Sequence, residues 1–176
     1  ISPLAKCTKL LQLDLTSTHV DSIDVLKNCT KLVKINLENT RISSIEGLQN
    51  CKNLNLLDCC STQVSDIGCL SECTSLQDLY ISDTSVSDIE CLRNCTKLRD
   101  IFMENTQIRN IDSLSNKTHL KRLILSSTNV SDITSLGTCK SLELLLLNDT
   151  QVSDISSLRD CHLLREVDLE NTNVKD

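Results

Sequence analysis

"TKLVKINLENTRISSIEGLQNC", residues 30–51, carries two hydrophobic rhythms in succession. Ile35 and Leu37 stand two apart, the spacing of a strand with one buried face. Ile42, Ile45 and Leu48 stand three apart, which suits a short turn of helix, α or 3₁₀. Between the two runs sits Thr40. Thr recurs at 18, 40, 62, 84, 106, 128, 150 and 172, each 22 residues after the last. Eight occurrences without an exception exclude chance, and the chain is read as a repeat array before anything else.

The other columns keep step with this marker. A general repeat reads C-T-x-L-x-x-L-x-L-x-x-T-x-V-S-D-I-x-x-L-x-x. Its first leucine is invariant at 10, 32, 54, 76, 98, 120, 142 and 164. The next column holds Leu13, Ile35, Leu57, Leu79, Ile101, Leu123, Leu145 and Val167, and the one after it Leu15, Leu37, Cys59, Ile81, Met103, Leu125, Leu147 and Leu169. The columns that begin at Val20, Ile23 and Leu26 are as uniformly apolar.

This pattern resembles the leucine-rich repeat family, in particular the 22-residue class of bacterial internalins and Sds22-type phosphatase regulators, over essentially the whole chain. The Thr- and Cys-rich flavour of "NCTKLRDI" and "SST" is also similar to repeat proteins of trypanosomatid parasites. The resemblance implies an α/β solenoid, with a parallel β-sheet on its concave face and short helical or 3₁₀ turns on its convex face. It also implies a protein-binding module rather than an enzyme, either a scaffold or regulatory subunit or an extracellular adhesion or receptor segment. Two departures stand out. Thr replaces the family's usual Asn at the marker, where its hydroxyl is expected to make a smaller version of the ladder between neighbouring coils. Cys replaces Leu at Cys7, Cys29, Cys51, Cys73, Cys95, Cys139 and Cys161.

The reading is one domain over 1–176 of about eight repeats. Neither end shows a polar capping unit, and the chain does not begin with Met, so further sequence is expected on either side. Composition narrows the rest. Aromatics are 1% of the chain, glycines number three and prolines one, so Leu, Ile, Val and Cys must build the core. A net charge of −6 with no basic run argues against nucleic acid as a partner. No apolar run reaches membrane-spanning length.

Alternation along the strands assigns the residues between the core columns to the concave face. The central concave column runs Asp14, Asn36, Asp58, Tyr80, Phe102, Ile124, Leu146, Asp168. The only tyrosine and the only phenylalanine of the chain therefore lie side by side on a surface. Tyr80, Phe102, Ile124 and Leu146 form a contiguous apolar ladder roughly 15 Å long at about 4.8 Å per strand, widened by Leu144. Asp58, Asp78, Asp100 and Glu104 surround it, with Arg122 as the main basic neighbour. An apolar patch inside a charged rim is the anatomy of a protein-binding site. The expected occupant is a protein or peptide with an apolar anchor and a basic flank, bound to a monomer. A purely structural spacer is the competing reading.

Catalytic and metal chemistry find little support. His19, His119 and His162 fall in three different repeat slots, no C-x-x-C occurs, and no glycine-rich phosphate loop is present. No cofactor is expected. The Ser-Asp pairs 65–66, 87–88, 131–132 and 153–154 are read as caps of the helical turns. Most of the eleven cysteines are read as small buried hydrophobes, with Cys60, Cys69 and Cys91 the exposed exceptions. That thiol load favours a reducing, intracellular setting over a secreted one. The five sequons at Asn28, Asn94, Asn116, Asn129 and Asn148 are close to the roughly three that composition alone gives. Lys117 breaks the Cys column and is expected to snorkel or to mark a local distortion.

Overall fold

The computed structural model describes residues 1–175. Eight three-residue strands lie in one parallel sheet in sequence order: β1 Gln12–Asp14, β2 Lys34–Asn36, β3 Leu56–Asp58, β4 Asp78–Tyr80, β5 Asp100–Phe102, β6 Arg122–Ile124, β7 Leu144–Leu146 and β8 Glu166–Asp168. Each pairs in register with the residue 22 further on, for example Leu79 with Ile101 and Tyr80 with Phe102. The helical turns of the opposite side are all 3₁₀, such as Glu90–Asn94, and stack on one another from coil to coil. A three-residue apolar spacing is the natural period of that tighter helix.

The core lies between sheet and turns. The strand leucines and isoleucines and the Val20, Ile23 and Leu26 columns are fully buried in the inner coils. Val167 in the last coil is exposed because no further coil covers it, whereas Leu11 and Leu163 sit in columns that face the surface in the inner coils as well.

Every coil leaves its strand by the same turn. The residue before the marker Thr has a positive φ in all eight repeats, from Ser17 at 57° to Asn171 at 55°. Ser, Asn and Asp occupy that column, the last two being the non-glycine types that best tolerate left-handed backbone. The marker hydroxyl then donates to the carbonyl three residues back, as in Thr106 to Met103 at 2.7 Å and Thr150 to Leu147 at 2.6 Å. This corrects the expectation of a Thr ladder between coils: the bond closes a turn within one coil. Coils are joined there by backbone instead, with the Asn105 N–H donating to the Ser126 carbonyl at 3.0 Å.

The cysteine column is buried apart from Cys7, and its thiols donate one coil back, as in Cys51 to the Cys29 carbonyl at 3.5 Å and Cys73 to that of Cys51 at 3.6 Å. Cys60, Cys69 and Cys91 are half-buried rather than exposed, and desolvation pushes each thiol up to about 12. The exposed thiol is Cys7. At the start of the 3₁₀ turns the aspartates cap as expected, with Asp66 accepting from the Gly68 N–H at 2.7 Å and Asp88 from that of Glu90 at 2.8 Å.

Lys117 does not snorkel. It is 1% exposed, and its ammonium reaches the Arg93 carbonyl at 2.8 Å inside the stack. The distortion is present as well: the 3₁₀ turn before it stops at Leu114, and Asn116 takes a φ of 62°. Burial lowers the Lys117 pKa, so its charged form costs stability.

Two stability changes follow, both read by urea denaturation. Thr106→Val removes the turn-closing bond while keeping shape, and is expected to cost about 1 kcal/mol. Lys117→Met replaces a desolvated amine with an apolar chain of similar length and should stabilise by about 1 kcal/mol.

Candidate functional site

Register alone brings the site together. Asp58, Tyr80, Phe102, Ile124 and Leu146 are consecutive partners across β3 to β7, and Leu56, Asp78, Asp100, Arg122 and Leu144 form the row two residues earlier. All four members of the apolar ladder are half-buried, with their outer surfaces open on the concave face.

The ladder is fixed by more than register. The Tyr80 and Phe102 rings stack with centroids 4.7 Å apart and planes inclined by 26°. The Arg122 guanidinium lies over the Phe102 ring, 5.4 Å from its centroid. That guanidinium also grips Asp100 with both arms, Nε to Oδ1 and a terminal nitrogen to Oδ2, each at 2.8 Å. Stacking, cation–π attraction and a forked ion pair thus join four side chains from three strands.

Asp100 is accordingly no rim charge. Its side chain is 5% exposed, beneath an Arg122 that is 49% exposed. The Arg122 hydrogen bonds hold the Asp100 carboxyl below the usual range, against the opposing effect of burial. Its neighbour Asp78 moves the other way, raised by burial and by the Asp100 charge. Burial also raises the Tyr80 phenol. Asp58 turns back to accept from the Cys60 N–H at 3.0 Å, and Glu104 is exposed. Leu56, half-buried beside Asp58, is an apolar contributor the sequence reading passed over. Its signal was its membership of the Leu144 column.

Among the described residues no group of His, Cys, Asp and Glu could hold a metal ion, and no helix is long and apolar enough to cross a membrane.

Residues 74–116, which include Tyr80, Phe102 and Asp100, match the family model "Leucine Rich repeats (2 copies)". The chain superposes on internalin inlF of Listeria monocytogenes str. 4b F2365 with a TM-score of 0.79 and 25% identity, covering 100% of this chain and 58% of that one. Internalin C2 of the same strain gives 0.88 and 26%, over 93% of this chain and 73% of that one. The fold is that of a leucine-rich repeat solenoid, and the chain is similar to internalins. Solenoids of this class offer extended concave surfaces to their surroundings. The chain's fold is shared by the structure of the TLR13–ssRNA13 complex, at TM-score 0.77 and 22% identity over 99% of this chain and 27% of that one. No curated protein matches the sequence significantly. The chain spans little over half the length of inlF.

Arg122→Met tests the ion pair. Because Arg122 is half-exposed, the loss should fall short of that for a fully buried pair, at about 1–2 kcal/mol near neutral pH. The lowered Asp100 pKa contributes stability above its unfolded value and loses it as pH falls through the folded one. The gap between wild type and variant should therefore begin to close below about pH 4 and keep closing as pH falls through the lowered Asp100 pKa in urea titrations.

Proposed function

We propose that this leucine-rich repeat protein recognises a partner protein with its concave face, as a scaffold or regulatory subunit, through Tyr80, Phe102, Ile124 and Leu146. The observation that carries the reading is the stacked, guanidinium-backed ladder itself. Two of its side chains are held by neighbours before any partner arrives, so their ordering cost on binding is already met. Covering the four would contribute several kcal/mol at about 25 cal/mol per Å² before association costs. Tyr is also a frequent binding hot spot.

TLR13 forms a complex with ssRNA13. Two features oppose that chemistry here. The Phe102 ring is engaged by Tyr80 and Arg122 and is not free to stack on a base. The chain is also acidic overall.

The internalin likeness and the exposed sequon residues Asn28, Asn94, Asn116 and Asn129 favour an extracellular adhesion segment as the second reading. The buried thiols are shielded from oxidants and discriminate less between compartments than their number suggests. We place the protein inside the cell; intact-mass measurement on the native protein, showing unglycosylated sequons and reduced thiols, is the outcome that agrees.

The direct test compares wild type with Tyr80→Ser/Phe102→Ser/Ile124→Ser in affinity capture from source-cell lysate, after circular dichroism has shown the fold unchanged. Binding of the specific partner is expected to fall by more than about tenfold. An unchanged partner set would exclude the ladder and leave the spacer reading.

A further inference from the structure

The concave sheet separates charge across its width. On the side from which β5 and β6 start lie Lys97, Arg99, His119 and Lys121; with Gln77, the first three line a depression of about 240 Å³. Lys121 is answered by Glu143 at 2.9 Å. Among the described residues, Lys97 and Arg99 make no ion pair, although Arg99 lies near enough to Asp78 and Asp100 to oppose the rise of the first carboxyl and add to the fall of the second. Asp100 is already neutralised by Arg122, and Lys97 and Arg99 face only the unpaired Asp78, so one positive charge is in excess on this side.

The opposite flank, where the strands end, is acidic. Asp83, Glu104 and Asp149 stand there, and residues 82–85, 104–107, 126–129 and 148–151 contain no Lys or Arg. Asn105 donates to Asp83 at 2.8 Å and Asn171 to Asp149 at 2.9 Å, which fixes these carboxylates without neutralising them. A rim read as four acids with Arg122 as the main basic neighbour therefore carries net negative charge on one side and net positive charge on the other. A partner with only a basic flank would leave Lys97 and Arg99 unanswered, or be repelled by them.

Resting on the concave reading above, we propose that the partner supplies an extended segment that crosses the sheet along the strand direction, acidic at one end, apolar in the middle and basic at the other. Its acidic side chain docks in the depression lined by Gln77, Lys97, Arg99 and His119. Its apolar residue covers the Ile124–Leu146 end of the ladder, and its basic side chain meets Glu104. Arg99 and Glu104 flank the three-residue strand β5 and are five positions apart, at most about 16 Å at 3.3 Å per residue, so the acid and the base should be no more than about five residues apart.

A display library of random dodecamer peptides, selected on the whole chain, tests this. The proposal expects winners with an acid and a base about five positions apart around an apolar residue. Their affinity should fall at least about fivefold for Lys97→Glu/Arg99→Glu and for Glu104→Lys, and further for the triple serine variant. Winners that need the ladder, carry only basic flanks and ignore Lys97→Glu/Arg99→Glu would overturn the charge polarity and leave concave recognition standing. Winners indifferent to the triple serine variant, or no enrichment at all, would overturn both. Binding of a twelve-nucleotide single-stranded RNA that Lys97→Glu/Arg99→Glu abolishes would identify the depression as a phosphate site and overturn the protein assignment.

Discussion

Everything here depends on the backbone hydrogen bonds that join each coil to the next. A single 22-residue coil has one short strand and one 3₁₀ turn, and it cannot bury its apolar side alone. Its donors are met only if the neighbouring coil has the same length and leaves its strand by the same turn. The left-handed residue and the Thr hydroxyl enforce that sameness. Stacking then hides the strand and turn columns between adjacent coils, and the end coils show what happens without a neighbour.

The same constraint makes the surface. A parallel sheet without offset lines up equivalent side chains at the strand spacing of about 4.8 Å, whatever their chemistry. Where aromatic follows aromatic the rings stack; where Asp100 precedes Arg122 they form a forked pair. The concave face is therefore written column by column. Each run of like residues becomes a patch, and each alternation of charge becomes a local neutralisation.

That logic also marks how far the sequence could be read. The period, the strand and turn columns, the concave assignment of Tyr80 and Phe102 and the Asp caps follow from position in the repeat alone. The Asp100–Arg122 pair did not, because its members are 22 residues apart and meet through side-chain rotamers that no column average records. The Thr hydroxyl was assigned to the wrong partner for a related reason: a left-handed residue at the preceding position swings it back on its own coil. Lys117 was legible as an anomaly, but not as a buried amine, because the Arg93 carbonyl that receives it lies in the preceding coil, 24 residues away. Cys60 was read as exposed, yet it is half-buried beside Ser82 of the neighbouring coil.

The most direct test of the account is a crystal structure of the chain bound to the partner it captures. The account predicts that Tyr80 and Phe102 keep their stacked arrangement, with Arg122 on Asp100, and that the partner covers Ile124 and Leu146 on the concave face. A partner seated on the convex 3₁₀ turns, with the ladder still open to solvent, would contradict it.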